Sequence, residues 1–380
     1  MKAGYTTSFA DILTKNFDEF AGLIASKTAA DVEVALNSPP GVYDINKLAA
    51  LVSPAAQKYL EQMAQASRRL TLQRFGPTIR MYAPLYLSNV CSNSCLYCGF
   101  NRTNDFQRTR LTIEQALAEA DLIAERGFRD ILLVSSEDRQ WVTVDYLCEL
   151  AGQLREKFAF ISIEIYQLEA DDYRRLFDAG IEGVTIYQET YDRDTYARYH
   201  PAGPKSDYQR RLAGPEAAAV AGMREVNLGA LLGLAPWPAE MLTMAEHAHY
   251  LMKKYWKCHI SFSFPRIRPA CKVQAQLFDH LVGDAELVQM ILALRLCFAD
   301  AGLVLSTREG ERLRDNLVKM GITKISAGSK TNPGGYSSDD SLKQFDIDDA
   351  RSPSQVVQML RHAGLEAVWK DWDAEYKKNA

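Results

Sequence analysis

The chain has 380 residues, of which 47% are hydrophobic, and its formal net charge is −4 at pH 7. This length allows one large domain with additions or two domains, and the apolar content is sufficient for a large core. The slightly acidic balance, without a long Lys/Arg run, argues against a dedicated nucleic-acid-binding protein. No stretch approaches the roughly 18–20 apolar residues of a membrane span, and the N-terminus lacks a secretory apolar segment, so we expect a cytoplasmic protein.

The first part of the chain has a helical pattern. Residues from about Ser8 to Phe75 are rich in charge, and "AAQKYLEQMAQASRRLTLQRFG" repeats its apolar residues at helical spacing before a glycine. We therefore predict an N-terminal helical extension over residues 1–75. A C-terminal extension over residues 336–380, with one helical stretch in "SPSQVVQMLRHAG", is predicted to pack on the domain before it.

Between these extensions, apolar runs typical of buried strands alternate with helix-like segments. The runs are, in chain order, "IRMYAPLYLSN", "DILLVSSE", "FISIEIYQL", "GVTIYQET", "VNLGALLGL", "HISFSFPRI", "LVLSTRE" and "ITKISAG". Apolar strands that alternate with helices predict a parallel sheet, and eight such units predict an α/β fold of the (β/α)8 barrel type over residues 76–335. The helical segment before the fifth run is "PEAAAVAGMREV", which starts at Pro215.

The polar residues that end the apolar runs are candidates for function, because the active site of a (β/α)8 barrel lies at the C-terminal ends of its strands. Charged residues inside a strand are costly unless they are paired or solvated at a site. A structural surface could produce any one of them by chance, whereas the full set predicts a shared polar mouth. The candidates are Tyr86, Ser88, Asn89, Ser135, Ser136, Glu137, Glu164, Tyr166, Gln167, Tyr187, Gln188, Glu189, Thr190, Tyr191, Gly229, Gly233, Arg266, Arg268, Ser306, Thr307, Arg308, Ser326 and Ser329.

Three of the seven cysteines, Cys91, Cys95 and Cys98, form a C-x3-C-x2-C cluster directly after the first predicted strand. The other four are scattered among apolar neighbours, as is typical of small buried hydrophobes. Structural zinc usually takes four ligands from paired knuckles, and a ferredoxin-type [4Fe–4S] cluster takes four cysteines, but no second pair or nearby fourth cysteine follows here. Three thiolates on a [4Fe–4S] cluster would leave one iron open to a substrate or cofactor.

The spacing of Cys91, Cys95, Tyr97 and Cys98 resembles the signature of radical S-adenosylmethionine (SAM) enzymes. The segments "YQETYDRDTYARYH", "SFPRIRP", "LSTRE", "NPGGY" and "VWKDWD" resemble the aromatic amino-acid lyases of that superfamily. The resemblance implies a radical SAM barrel, a [4Fe–4S] cluster on the three cysteines with SAM at the open iron, and Cα–Cβ cleavage of L-tyrosine. The products would be 2-iminoacetate and p-cresol, with 5′-deoxyadenosine and methionine from SAM, for thiamine thiazole biosynthesis. Expected partners are a thiazole synthase, which receives the short-lived imine, and a one-electron reductant such as flavodoxin or ferredoxin.

The same resemblance implies roles for individual residues. Tyr97 is expected at the adenine of SAM, Glu137 at its amino group and Arg198 at its carboxylate. The complete set expected around SAM is Tyr97, Ser136, Glu137, Glu164, Gln188, Glu189, Arg198 and Gly233. Arg308 is expected to hold the substrate carboxylate, because a guanidinium fork binds a carboxylate through two hydrogen bonds. Tyr86 and Ser326 are expected to hold the substrate backbone.

Three functions are alternatives to the tyrosine lyase that the resemblance implies. A tryptophan lyase that makes 3-methyl-2-indolic acid would use nearly the same scaffold, although "CLYCGF" and "VWKDWD" favour tyrosine. A hydrogenase-maturation tyrosine lyase would carry a further C-terminal cysteine motif, whereas no cysteine follows Cys297 here. An iron–sulfur electron carrier or scaffold is a different class of protein, and the missing fourth cysteine and the predicted barrel argue against it.

Overall fold

The computed structural model describes residues 8–13, 16–338 and 341–370. At its centre lie eight parallel strands: β1 (Thr78–Ser88), β2 (Asp130–Ser135), β3 (Phe160–Glu164), β4 (Gly183–Glu189), β5 (Glu225–Ala230), β6 (His259–Ser263), β7 (Gly302–Leu305) and β8 (Lys324–Ser326). Each strand pairs with the next, and β1 pairs with both β2 and β8, so the sheet closes. The predicted (β/α)8 barrel is therefore confirmed.

The barrel strands are apolar because helices cover the outside of the barrel and side chains fill its inside. Every residue of β2 and of β5 is buried. The strands end sooner than the apolar runs that predict them: β6 ends at Ser263, whereas the run "HISFSFPRI" continues to Ile267. The last residues of these runs belong to the loops at the mouth of the barrel, where functional side chains are expected.

The N-terminal extension is helical, as predicted. It contains α1 (Phe9–Ile12), α2 (Phe17–Ala25), α3 (Ala29–Asn37), α4 (Ile45–Leu51), a 3-10 helix (Pro54–Tyr59) and α5 (Leu60–Phe75). Asn16 and Thr28 cap α2 and α3 by accepting hydrogen bonds from backbone N–H groups in the first turn. These helices pack on the outside of the barrel and cover one side of it.

Eight helices follow within the barrel region: α6 (Ile113–Glu125), α7 (Val144–Leu154), α8 (Ala170–Ala179), α9 (Arg193–Tyr199), α10 (Tyr208–Ala221), α11 (Trp237–Lys254), α12 (Asp284–Cys297) and α13 (Glu311–Leu317). Two short 3-10 helices span Pro204–Ser206 and Ala275–Leu277. Helices α2 and α4 pack on α11, and α5 packs on α12, which explains why both barrel helices are apolar on more than one face.

Two helices between β4 and β5 differ from the sequence-based expectation. The apolar pattern does not predict α9, and α10 begins at Tyr208, so that Pro215 lies inside the helix rather than at its start. Asp207 caps α10 by accepting a hydrogen bond from the N–H of Arg210. Because of the additional turn, the Nε of Arg211 donates to the carbonyl of Tyr187 at 2.8 Å, at the end of β4.

The C-terminal extension contributes to both ends of the barrel. Residues 341–350, which we call the strap, cross the mouth, where the N–H of Asp348 donates to the carbonyl of Thr307 at 3.0 Å. Helix α14 (Pro353–His362) and β9 (Glu366–Val368) follow, and β9 pairs in parallel with the start of β1. The division into residues 1–75, 76–335 and 336–380 stays a prediction, since both extensions pack directly on the barrel.

Predictions made for residues 1–7, 14–15, 339–340 and 371–380, including the last part of "VWKDWD", lie outside the described residues. Over the part of the chain that is described, no helix is both long enough and apolar enough to cross a membrane.

Candidate active site

Two adjoining cavities occupy the mouth and the interior of the barrel. The first cavity is lined by all three clustered cysteines, and the second lies among the barrel strands, where Tyr82, Leu132 and Val304 line it. The two cavities share the lining residues Tyr86, Val134, Glu164, Tyr187, Pro265, Arg308 and Phe345. A molecule bound in the second cavity is therefore adjacent to one bound in the first.

The cysteine loop follows β1 directly and is fixed by hydrogen bonds to three distant segments. The N–H of Ser92 donates to Glu137 at 3.1 Å, the N–H of Ser94 to Ala202 at 2.9 Å, and the N–H of Leu96 to a carbonyl at the end of α9 at 3.1 Å. The side chain of Arg108 adds four hydrogen bonds at 2.7–3.0 Å to the carbonyls of Asn89, Phe100, Asn101 and Asn104. These hydrogen bonds hold the loop in place against the rest of the barrel mouth.

The three thiols suit an iron–sulfur cluster. Cys95 is buried, Cys91 and Cys98 are half-buried, and all three are free. Nowhere in the described ranges do three His, Cys, Asp or Glu side chains converge closely enough to hold a single metal ion. A [4Fe–4S] cluster does not need such convergence, because each cysteine binds a different iron. Burial raises the pKa of the Cys95 thiol to about 12, so a cationic iron group is needed to hold it as a thiolate.

Glu137 and Glu189 both line the first cavity, and each is already oriented by partners. Glu137 accepts hydrogen bonds from Asn93 at 3.1 Å and from Arg139 at 2.7 Å. Glu189 has a positive φ of 70° and pairs with Lys205. Burial acts to raise the pKa of Glu189, but the charges of Lys205 and Arg211 and the hydrogen bond from Lys205 together outweigh it, so the pKa lies below its ordinary value.

Tyr97 is fixed by a neutral histidine. The ring of His200 donates from Nδ1 to the carbonyl of Tyr196 at 2.8 Å, so its Nε2 accepts a hydrogen bond from the Tyr97 hydroxyl at 2.7 Å. Burial lowers the pKa of His200 to about 3, which keeps the ring neutral at physiological pH. Tyr97 lines the first cavity between two of the cysteines.

Comparisons with known proteins agree with this geometry. The family model for the Radical SAM superfamily matches residues 85–246, and that for the Biotin and Thiamin Synthesis associated domain matches residues 263–366. The 2-iminoacetate synthase of Escherichia coli (strain K12) is 42% identical over 363 residues, which cover 94% of this chain and 95% of that protein. The chain belongs to the 2-iminoacetate synthase family of radical SAM enzymes. The counterpart in Salmonella typhimurium is also 42% identical, over 94% of each chain.

Solved structures support the same assignment of fold. A crystal structure of HydG, a maturase of the [FeFe]-hydrogenase, matches with a TM-score of 0.90 at 29% identity, over 96% of this chain and 82% of that one. Methylornithine synthase (PylB) shares the fold, with a TM-score of 0.71 at 19% identity, over 92% of this chain and all of the other. Membership in the 2-iminoacetate synthase family makes the protein a lyase with a [4Fe–4S] cluster and SAM as cofactors, as the sequence predicts.

Several of the predicted site residues line the two cavities of this protein. Ser136 and Glu164 line the first cavity, although the hydroxyl of Ser136 is occupied by a hydrogen bond to the carbonyl of Val90 at 2.5 Å. Burial raises the pKa of Glu164 to about 7, and the charge of Arg308 only partly offsets this. Ser326 lines the second cavity, where its hydroxyl accepts from the N–H of Thr307 at 3.1 Å.

Three predicted SAM residues do not line either cavity. Arg198 has a side chain that is 57% exposed, and it pairs with Asp279 at 3.7 Å on the outside of α9. Gln188 is buried and lines neither cavity. Gly233 has a φ of 124°, and a Cβ there would lie 2.7 Å from Ile267, so this glycine allows the loop after β6 to approach. Their predicted contacts with SAM stay predictions, and their positions outside the two cavity linings do not favour them.

Other residues at the first cavity are not singled out by the sequence pattern. These are the cations Lys205 and Arg211 from the segment after β4, and Gln344 and Phe345 from the strap. Arg108, which does not line the cavity but holds the cysteine loop, is not singled out either. The sequence pattern predicts that α10 starts at Pro215, which places Arg211 in a loop before the helix. For that reason Arg211 is not predicted as a site residue. The strap has neither a helical nor a strand period, so its sequence carries no signal for these contacts.

Proposed function

We propose that the protein cleaves the Cα–Cβ bond of L-tyrosine to 2-iminoacetate and p-cresol, and converts SAM to 5′-deoxyadenosine and methionine, for the thiazole of thiamine. Support comes from 42% identity to a 2-iminoacetate synthase over 94% of the chain. Because the matched region spans 94% of the chain, it includes the segments that form both cavities and the cysteine loop.

One structural observation carries the substrate assignment, namely that the guanidinium of Arg308 has a backbone carbonyl and an aromatic ring as partners but no carboxylate among the described residues. The two neighbouring arginines do have carboxylate partners, because Arg266 pairs with Glu309 and Arg268 pairs with Asp348. Among the described residues, no carboxylate lies within ion-pair distance of Arg308, although it lines both cavities. A guanidinium fork that faces a cavity without an acidic partner suits the α-carboxylate of an amino acid.

The second cavity suits an aromatic side chain. Its walls include Tyr82, Leu132, Tyr187, Phe264 and Val304, so the ring of tyrosine would pack on apolar and aromatic surfaces. Tyr86 and Ser326, at the same cavity, would orient the substrate backbone beside Arg308. When bound, the cluster and SAM supply the radical chemistry that removes a hydrogen atom from the substrate. The barrel excludes water and holds the substrate next to the first cavity.

For SAM we propose a revised set of anchors. The carboxyl group of Glu137 would take the amino group, Tyr97 would contact the adenine, and Glu164 would accept from the ribose or the ammonium. The carboxylate would be held by Lys205 or Arg211, which line the first cavity. These two cations take the role predicted for Arg198, which faces solvent.

We also propose a thiazole synthase as the recipient of 2-iminoacetate, because an imine hydrolyses in water and direct transfer protects it. A flavodoxin or ferredoxin would supply the electron. The seven cysteines are free thiols, which suits the reducing environment of the cytoplasm.

The test is an anaerobic assay of the reconstituted protein with dithionite, SAM and either L-tyrosine or L-tryptophan, analysed by liquid chromatography and mass spectrometry. Tyrosine-dependent 5′-deoxyadenosine with p-cresol and glyoxylate, the hydrolysis product of the imine, is the expected result. 3-Methyl-2-indolic acid from tryptophan alone would replace the proposal with a tryptophan lyase. A cluster whose EPR signal does not respond to SAM would indicate an electron carrier.

A further inference from the structure

A glutamine of the strap lies between the cysteine loop and the substrate cavity. The Oε1 of Gln344 accepts a hydrogen bond from the Tyr86 hydroxyl at 2.7 Å, and its Nε2 donates to the Sγ of Cys98 at 3.9 Å. Within the described residues, no other side chain donates to a sulfur of the three clustered cysteines. One side chain therefore connects a cluster ligand with a residue that lines both cavities.

The chemistry of the two partners fixes which end of the amide faces the sulfur. A thiolate has no proton to donate, so it must face the NH2 group of Gln344. The Tyr86 hydroxyl can donate, and it therefore pairs with the amide oxygen. Rotating the amide by half a turn would set its oxygen against the anionic sulfur and leave the NH2 group facing a hydroxyl, so the observed orientation is the favourable one.

The backbone holds Gln344 at this place. Its N–H donates to the carbonyl of Thr331 at 2.9 Å, and the Thr331 hydroxyl donates to the carbonyl of Phe345 at 3.0 Å. On the other side, the strap rests on the cysteine loop at Gly99, where a Cβ would lie only 2.8 Å from the carbonyl oxygen of Gln344. The close approach of the two backbones determines the distance between the amide and Cys98.

We propose that Gln344 raises the reduction potential of the [4Fe–4S] cluster through its N–H···S hydrogen bond to Cys98. Reduction adds a negative charge that is shared by the cluster and its thiolate sulfurs. An N–H dipole directed at Sγ stabilises the reduced form more than the oxidised form, and hydrogen bonds to the sulfurs are among the factors that set cluster potentials. The inference rests on the proposed role of Cys98 as a cluster ligand.

The Tyr86 contact adds a link to the substrate. Because the Tyr86 hydroxyl holds the amide oxygen, it fixes the direction of the N–H bond towards Cys98. A Tyr86→Phe variant leaves the amide of Gln344 free to rotate. The reduction potential of its cluster should therefore fall, as in a variant without the amide, but by a smaller amount. A substrate that engages the Tyr86 hydroxyl would act on the cluster through the same side chain.

The experiment is an EPR-monitored redox titration of the reconstituted full-length protein without substrate, with iron content measured for every variant. At the wild-type midpoint, Gln344→Leu should lower the ratio of reduced to oxidised cluster by about three- to tenfold, where tenfold equals a shift of about 59 mV for one electron. Gln344→Asn should do the same, because its shorter side chain withdraws the NH2 group from Cys98. Gln358→Leu, the same change at an exposed glutamine of α14, should leave the midpoint unchanged.

Gln344→Leu or Gln344→Asn protein with full iron content and the wild-type midpoint would overturn the inference and leave the proposed function intact. If the leucine variant does not retain its cluster, the asparagine variant decides by the same criterion. A wild-type protein that binds no SAM-responsive cluster would instead overturn the proposed function.

Discussion

The ring centroid of Phe345 lies 3.4 Å from the guanidinium carbon of Arg308, so the strap stacks on the arginine that follows β7. Stacking on an aromatic face is favourable for a guanidinium and leaves its edge available for hydrogen bonds. Because Arg308 lines both cavities, the contact orients its fork at the place proposed for the substrate carboxylate.

Replacing Phe345 with leucine should therefore weaken tyrosine binding without harming the cluster. Cation–π contacts are worth about 0.5–2 kcal/mol, so we expect KM for tyrosine to rise about two- to thirtyfold with little change in kcat. Phe345→Tyr keeps the ring and should retain a KM near that of the wild type. A leucine variant with unchanged KM would show that Arg308 is oriented without the strap.

Removing the guanidinium itself should have a larger effect. We expect Arg308→Ala to lower kcat/KM for tyrosine by about thirtyfold or more, since losing one partner of a buried charge pair costs about 2 kcal/mol or more. Arg308→Lys keeps the charge but not the fork, so its kcat/KM should lie between the values for the wild type and for Arg308→Ala. Arg312→Ala, at an exposed arginine nearby, is the control. Equal activity of the two alanine variants would contradict the proposed anchor.

The three clustered cysteines should be necessary for the cluster, whereas the other buried cysteines should not. Cys95→Ala is expected to lose bound iron and the visible absorption of the cluster after anaerobic reconstitution. Cys297→Ala removes an equally buried thiol from α12 and should bind iron as the wild type does. Iron and sulfide analysis checks both variants, and a Cys95→Ala protein with full iron content would exclude this thiol as a ligand.

Gly203 controls how closely the segment after α9 approaches the cysteine loop. Its φ is 101°, and a Cβ there would lie 2.4 Å from Oδ1 of Asn93 and 2.8 Å from the carbonyl oxygen of Ser92. Positive φ costs a non-glycine residue about 1–2 kcal/mol, so Gly203→Ala should destabilise the protein by at least that amount and displace the loop. Chemical denaturation and iron retention test this expectation.

Gly152→Ala is the matched control for that substitution. Gly152 lies in α7, and a Cβ there would meet no atom of another described segment within 4 Å. Alanine should therefore stabilise the helix by about 0.5–1 kcal/mol. Equal effects of the two glycine substitutions would show that the close approach at Gly203 does not matter.

Glu240 should make stability depend on pH. It is buried in α11 and accepts hydrogen bonds from the Thr190 hydroxyl and the N–H of Tyr191, and burial raises its pKa to about 8. The folded protein thus keeps a proton that the unfolded chain loses near pH 4. The stabilisation is fully present below about pH 4 and is lost as the pH rises through about 8.

A Glu240→Gln variant should lack this dependence, because glutamine stays neutral. Relative to the wild type, its free energy of unfolding should increase by about 1.4 kcal/mol per pH unit between about pH 4.5 and pH 8. Denaturant titrations at several pH values measure the difference, and Glu149→Gln, at an exposed position of α7, is the control. Parallel pH profiles for wild type and Glu240→Gln would contradict the buried neutral carboxyl.

The sequence by itself determined the features that depend on neighbours along the chain. Cys91, Cys95 and Cys98 lie within one loop, so the sequence shows their spacing, and the resemblance of this spacing to the radical SAM signature predicts a cluster with an open iron. Strand and helix periods repeat locally, and for that reason the barrel is predictable. Arg308 and Glu137 directly follow apolar strands, whose ends meet at one mouth in any parallel barrel.

Only the tertiary structure decided the features that depend on which segments meet. Arg198 lies on α9, and the orientation of that short helix turns the side chain to solvent, while Lys205 and Arg211 reach the cavity from the residues that follow. Gln344 and Phe345 come from an irregular strap that is far along the chain from the cysteine loop. Hydrogen bonds to the barrel loops fix where the strap crosses the mouth, and its sequence has no helical or strand period from which this path could be predicted.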